Sequence, residues 1–358
     1  MTAALIRVLL VDDSRLAREM LREILQQEAG IEVVGEAVNG REAVEKARLL
    51  KPNLITLDLE MPGMSGMDAI TAIMCEKAVP ILVVSGVTDA QKAYEAVRRG
   101  ALDVVSKPDA SPASMREFVS KVRMLAGVPV ITHIRPIAGL PVTPSPQQVV
   151  PAPVSAIPAI AAASCHGHGS KRVFAIACST GGPQVLASLL PQLPADFPCP
   201  VLVAQHISEG FASGMANWLA GLCRLPVRLA VNGEAVCPGT IYISPAEHHC
   251  TVSVSRRIAF VERGEHDLYR PSCDRLLESV AEAYRADAVG IILTGMGRDG
   301  TLGIARIHGY GGVTLAQDAA TSLIFGMNRC AIEAGTVQSV LPDTAIAAEM
   351  LKLAGAAV

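Results

Sequence analysis

From residue 6 to residue 125, short β-branched and aliphatic runs alternate with stretches whose apolar positions recur every three or four residues. The runs predict strands over 6–11, 32–37, 54–58, 81–85 and 103–106, interleaved with amphipathic helices, the pattern of a five-strand β/α unit. Ser14 and Asn39 stand where helix N-caps belong, and Gly30 and Gly100 close helices ahead of the next strand. From residue 171 the alternation resumes, with strands expected over 172–177, 201–205, 227–231, 289–293 and 313–316. Between them, shorter runs at 240–244, 251–254 and 258–261 predict an antiparallel insertion beside a second parallel sheet. The fold class is therefore α/β, with two doubly wound parallel-sheet domains.

The stretch between the two patterns is different in kind. Residues 126–170 hold eight of the chain's 23 prolines and one formal charge, Arg135, so regular structure is not expected there. This divides the chain into a first domain at 1–125, a Pro/Ala-rich linker at 126–170 and a second domain at 171–358. The linker's Val, Ile and Ala content is too apolar for a well-solvated coil, so parts of it are expected to lie against one or both domains. Its uncharged part, 136–164, has the length of a membrane span, but seven prolines would break a helix there. No membrane insertion is expected, and the apolar run at 5–11 contains Arg7 and ends at Asp12, unlike a signal peptide.

Composition narrows the function classes. Half of the residues are hydrophobic but only 3% are aromatic, so the cores must be filled by aliphatic residues, as parallel sheets usually are. With 31 basic against 34 acidic residues the net charge is -3, which offers no footprint for nucleic acid, and no basic helix-turn-helix follows residue 171. The nine cysteines are scattered singly without a C-x-x-C pair, which argues against a disulfide framework or zinc module and suits a reducing cytoplasm. Cys165, His166 and His168 in the linker lack the paired spacing of zinc sites and read as a solvated loop, while His248 and His249 read as turn residues.

Candidate chemistry gathers at strand ends. Asp12, Asp13, Asp58, Ser85 and Lys107 fall at the carboxyl ends of the first, third, fourth and fifth strands, the edge where open α/β sheets place ligands. Three carboxylates on one edge repel each other unless a hard cation such as Mg²⁺ sits among them. A carboxylate there can take a phosphoryl group, which makes Asp58 the acceptor, with Lys107 and the Ser85 hydroxyl offsetting charge on the phosphoryl oxygens. One at a time, these residues read as a capping turn and a surface lysine; in this order they point to one site.

The stretches RVLLVDDS, LITLDLEMPGMSG, VVSG and VVSKP resemble the receiver domain of two-component response regulators, a flavodoxin-like fold, along its full length. The resemblance implies Mg²⁺ held by Asp12, Asp13, Asp58 and the backbone carbonyl of Glu60, a histidine kinase as phosphodonor, and a cis peptide at Lys107–Pro108. The family's aromatic switch position is Val104 here.

In the second domain, FAIACSTGGP is an apolar strand running into a small hydroxyl-bearing turn and then Pro183, a favoured first-turn residue. Ser179 would sit exposed at that strand-to-helix turn, near helix N–H groups able to stabilise an oxyanion. A serine nucleophile requires a base and an orienting acid; His206 and Asp299, each just after an apolar strand, are the candidates. Capping by Ser179, a partly buried loop His206 and a tight turn over 295–300 fit the spacing equally well. A phosphate-cradling loop fits poorly, because neither a G-x-G-x-x-G nor a P-loop pattern occurs.

ACSTGGP, VAQHI, YISPAEHH, RPSCDRLLESVA, VGIILTGMGRDG and FGMNRCAIEAG resemble the protein-glutamate methylesterase domain of chemotaxis response regulators, a Rossmann-like hydrolase, from about residue 171 onward. The resemblance implies Ser179 as nucleophile, His206 as base and acid, Asp299 as orienting carboxylate, and Thr180 and Met296 nearby, with no cofactor in the esterase site. It implies methylated chemoreceptors as substrates and glutamine deamidation as a side activity; the covalent linkage of an independent switch to a hydrolase suggests in addition that the unphosphorylated receiver packs over the esterase mouth and that phosphorylation favours an open form. Tyr269 and Asn328 depart from the family pattern and bear on substrate contacts. A phosphorylation-controlled scaffold with an inactive hydrolase fold is the alternative.

Overall fold

The computed structural model describes residues 5–86, 90–109, 111–130, 171–264, 267 and 269–355. The linker from residue 131 onward, with Cys165, His166 and His168, lies outside the described residues.

Strands β1 (Ile6–Val11), β2 (Ile31–Ala37), β3 (Leu54–Leu57), β4 (Ile81–Ser85) and β5 (Asp103–Ser106) form a parallel sheet in the order β2-β1-β3-β4-β5. The central strands are buried on both faces, which is why they read as unbroken apolar runs. Helices α1 (Arg15–Gln26), α2 (Gly40–Leu50), α3 (Gly66–Glu76), α4 (Ala90–Arg98) and α5 (Pro112–Leu125) cover it. Ser14 and Asn39 cap α1 and α2 as expected, accepting from Ala17 N and Glu42 N, contacts worth about 1 kcal/mol each.

The second sheet has seven parallel strands in the order β14-β13-β12-β6-β7-β9-β8. Its strands are β6 (Val173–Cys178), β7 (Val201–Gln205), β8 (Val227–Leu229), β9 (Ile241–Ile243), β12 (Ala288–Ile292), β13 (Val313–Gln317) and β14 (Ser339–Leu341). The helices are α6 (Gly182–Leu189), α7 (Ala212–Ala220), α8 (Cys273–Tyr284), α9 (Thr301–Gly309), α10 (Met327–Glu333) and α11 (Asp343–Ala354).

Three expectations need correction here. The run at 240–244 is no part of an antiparallel insertion: as β9 it joins the main sheet in parallel, because all three of its residues are buried between β7 and β8. Only β10 (His249–Val252) and β11 (Ile258–Val261) pair antiparallel, as a separate hairpin. Among the described residues the cis peptide bond is Arg270–Pro271, not Lys107–Pro108; a trans bond, which X-Pro ordinarily favours, already carries Lys107 Nζ to 2.7 Å from both Asp12 and Asp58. And Cys237 is disulfide-bonded, while the seven other cysteines among the described residues are free, because single, scattered spacing does not by itself prevent two thiols from pairing.

The two sheets are not separate bodies of apolar packing. Helix α4 packs on α7 and α6, Tyr94 stacks on Trp218 at 5.6 Å, and one buried cluster runs from Val83 and Tyr94 through to Leu186 and Trp218. This docking lays the β5 end of the first sheet over the β6–α6 turn of the second.

Candidate active site

At the first sheet edge, Asp12, Asp13 and Asp58 bring a ligand oxygen each within 4.8 Å of one another, and Asp12 and Asp58 are buried. Lys107 Nζ bridges Asp12 Oδ2 and Asp58 Oδ2. Burial, the largest influence, pushes the Asp58 carboxyl up, with Lys107 pulling the other way. Ser85 is fully buried, and among the described residues its Oγ has no hydrogen-bond partner. An all-oxygen donor set beside an orphaned hydroxyl fits a hard cation and a phosphoryl group. The Glu60 side chain pairs with Lys92 of α4, 2.6 Å away. Val104 is buried in β5 and offers no aromatic ring at that position.

At the second edge, β6, β7 and β12 lie side by side at the point where strand order reverses, the usual crevice of open α/β sheets. Ser179 follows β6, His206 follows β7 and Asp299 lies beyond β12. Gly181, at φ +83, makes the turn into α6 that L side chains rarely adopt, and Pro183 enters the first turn of that helix as expected. The N–H groups of Thr180 and Gly181 donate to no acceptor among the described residues, so two orphan donors stand at the start of α6. Gln205 Nε2 donates to both Ser179 O and His206 O at 2.8 Å, tying the two strand ends together.

His206 Nε2 and Asp299 Oδ2 are 2.8 Å apart. Asp299 is 2% exposed, and its oxygens also accept from Cys273 N at 2.6 Å, Asp274 N at 2.9 Å and Ser272 Oγ at 3.2 Å. Burial opposes its charge, but the bonds from His206, Asp274 and Cys273 outweigh it and hold the carboxyl below its ordinary value. A hydrogen bond to an ionised Asp299 places an imidazole proton on Nε2, so Nδ1 is the ring nitrogen that a base would use. The Tyr269 ring stacks on the imidazole, centroids 4.9 Å apart at 12°.

Two predicted features differ. Ser179 is buried, at 7% exposure, rather than exposed, because the first sheet docks onto its turn. Among the described residues Ser179 Oγ makes no hydrogen bond, to His206 or otherwise. Thr180, 2% exposed, donates from Oγ1 to Asp103, and Met296 is half exposed near the site. Tyr269 stacks on His206, whereas Asn328 is fully buried and donates from Nδ2 to Gln317 O and Ser322 Oγ.

Sequence reasoning did not find Ser272, Cys273 or His249. Ser272 was legible as an N-cap ahead of the apolar run of α8, and it accepts from Arg275 N. His249, expected on a turn, is instead the first residue of β10, where pairing with β11 buries it and both ring nitrogens are bonded.

The arrangement is that of a response regulator whose output is an α/β hydrolase. The response regulator receiver domain family matches residues 8–120, and the CheB methylesterase family matches residues 174–350. A protein-glutamate methylesterase/protein-glutamine glutaminase of Paramagnetospirillum magneticum is 53% identical over 356 residues, covering 99% of this chain and 97% of that protein. Its namesake from Thermotoga maritima is 36% identical over 363 residues, covering 99% of this chain and all of the relative. The crystal structure of the Thermotoga maritima CheB methylesterase catalytic domain covers 52% of this chain and 98% of its own, with a TM-score of 0.49 and 36% identity. The chain belongs to the CheB methylesterase family. It is a phosphorylation-regulated methylesterase with a receiver domain ahead of the esterase domain.

Proposed function

We propose that residues 171–358 hydrolyse glutamate methyl esters on chemoreceptors, and deamidate glutamines there, with Ser179 as nucleophile, His206 as base and acid, and Asp299 as orienting carboxylate. The observation that carries the reading is the 2.8 Å bond between His206 and an Asp299 held below its ordinary pKa, on the sheet edge that also holds Ser179.

Ser179 Oγ attacks the γ-carbonyl carbon as His206 Nδ1 takes its proton, and the Thr180 and Gly181 N–H groups face the oxyanion. The C–O bond to the methoxy group breaks, and methanol leaves with the proton from His206. Water then attacks the glutamyl ester, giving its proton to His206, and a glutamate carboxylate and free Ser179 hydroxyl result. The Ser179 to His206 contact forms by side-chain rotation once substrate is bound, as catalytic hydrogen bonds often tighten only in the complex. Tyr269 holds the imidazole plane through this exchange.

Residues 1–125 act as the switch, with a histidine kinase as phosphodonor and 126–170 as the linker. Asp58 takes the phosphoryl group, and Lys107 and Ser85 contact its oxygens. Asp12, Asp13, Asp58 and the Glu60 carbonyl would hold Mg²⁺, whose chemistry there is to neutralise the transferred oxygens. In the resting form the switch covers the Ser179 turn, and phosphorylation shifts the population toward an uncovered form.

The test is methanol release from methylated receptor membranes with a phosphodonor. Replacing Ser179 with Ala should cut turnover by about three or more powers of ten while Asp58 is still phosphorylated. Unchanged methanol release would refute the assignment and favour the scaffold reading.

A further inference from the structure

His249 lies at the start of β10 with its ring fully buried, and it is outside the set of residues assigned above. Its Nδ1 accepts a hydrogen bond from the backbone N–H of Ser272 at 3.0 Å. A backbone amide only donates, so Nδ1 carries no proton, and the proton of the neutral ring sits on Nε2. Nε2 faces Asp267 Oδ2 at 2.7 Å, and that oxygen also accepts from Gly264 N at 2.9 Å. The Asp267 carboxyl is held below its ordinary value chiefly by the bond to His249. The pairing locks one tautomer of a buried ring.

What the ring holds is the segment that builds the catalytic acid's surroundings. Ser272 caps α8, and its Oγ reaches Asp299 Oδ1. The next two backbone amides, Cys273 and Asp274, donate to the two Asp299 oxygens. Just upstream, Arg270 O accepts from Ile207 N at 2.9 Å, and Tyr269 stacks on His206. One short segment therefore touches His206, the residue after it, and Asp299. The Ser272 amide, at the centre of that segment, is fixed by His249 alone among the described residues. If residue 272 turned, the amides of 273 and 274 would turn with it, and Asp299 would lose both its orientation toward His206 and the bonds that favour its charge.

We propose that His249 is a positioning residue for the esterase reaction: through the Ser272 amide it aims the first turn of α8 at Asp299, and thereby sets the His206–Asp299 bond. This rests on the assignment of Ser179, His206 and Asp299 above. The residue touches no substrate, and its effect belongs in kcat and not in KM.

The experiment uses the full chain, activated with a small-molecule phosphodonor, and two isosteric variants. In His249→Asn the amide oxygen falls where Nδ1 sits and can accept from Ser272; in His249→Gln the polar atoms reach only as far as Nε2. The Asn variant should keep kcat within about threefold of the parent, and the Gln variant should lose about 10- to 100-fold in kcat with KM unchanged, as small misplacements of catalytic groups do. Equal losses in both, or a loss that follows only the fraction unfolded, would overturn the positioning role. A variant-free check is nitrogen NMR of the parent chain: the ring of His249 should appear as the Nε2–H tautomer, and an Nδ1–H ring would be fatal to the idea. If Ser179→Ala keeps its turnover in the same assay, the catalytic assignment has failed instead; if it loses turnover while Asn and Gln behave alike, only the positioning role has.

Discussion

Asp103, the first residue of β5, accepts a hydrogen bond from Thr180 Oγ1 at 2.9 Å, so a buried carboxylate of the receiver rests on the residue next to the candidate nucleophile. Lys121 pairs with the same carboxylate oxygen, and Gln184 of α6 donates to Ala101 O and Leu102 O. The charge of Asp103 is thus satisfied from both sides of the docked interface, which is what burying it requires. Asp103 stands at the opposite end of β5 from Lys107, so the strand itself connects the phosphorylation edge to the covered turn.

Helix crossing offers a way to undo that docking without touching either site. At Gly214 of α7 an added Cβ would lie 2.5 Å from Ala90 Cβ and 2.7 Å from the Ala90 carbonyl carbon. Gly214→Ala should push α4 off α7, while alanine raises the helix propensity of α7 by about 1 kcal/mol, so the esterase domain stays folded. Losing about 1–2 kcal/mol of docking raises basal methanol release about 5- to 30-fold before any phosphorylation. Trp218, the chain's one tryptophan, should report the change by red-shifted emission as it leaves Tyr94. Basal activity equal to the parent would mean the docked arrangement does not restrain the enzyme.

Ser85→Ala separates stability from signalling. The buried, unpartnered Ser85 Oγ costs the resting protein about 1–3 kcal/mol, so its removal should leave stability unchanged or raise it by about 1 kcal/mol. With Ser85 in its proposed role as a phosphoryl contact, the phosphodonor response should nonetheless fall severalfold. Denaturant unfolding together with stimulated methanol release measures both; a clear loss of stability contradicts the resting-state geometry.

Asp274 carries a pH signature. Burial is the main influence raising its carboxyl from 3.8 to about 6, against a bond from Gly303 N and with the nearby Asp299 charge adding to the rise. A folded-state value above the unfolded one means the native state holds the proton more tightly, so stability from this group is greatest at low pH and falls as pH climbs from 3.8 to about 6. Asp274→Asn keeps an acceptor for Gly303 but removes the charge. It should match the parent near pH 4 and exceed it at pH 8 by about 1–2 kcal/mol after discounting for solvent screening. The lost charge in the first turn of α8 would subtract only about 0.5 kcal/mol. Calorimetry across that range decides it, and a variant less stable than the parent at pH 8 reverses the sign of the argument.

Most of the architecture was legible because parallel strands buried on both faces must be written as unbroken apolar runs, and the residues that end them mark the ligand edge. Ile6–Val11, Ile81–Ser85, Asp103–Ser106 and Val201–Gln205 match their expected spans. Asp12, Asp58 and Lys107 meet at one edge, and His206 meets Asp299 at the other. Strand β14 escaped notice, since its three residues at the sheet's end carry no buried face.

What the chain order alone determined was which residues end which strands, a local matter of hydrophobic period and turn chemistry. Tertiary structure alone decided that Ser179 is covered, that Asp103 reaches Thr180 across 77 positions, and that His249 Nδ1 accepts from the Ser272 amide 23 positions away. Those relations join residues far apart in sequence, and no local pattern encodes them; they exist only once the two sheets and the hairpin have packed.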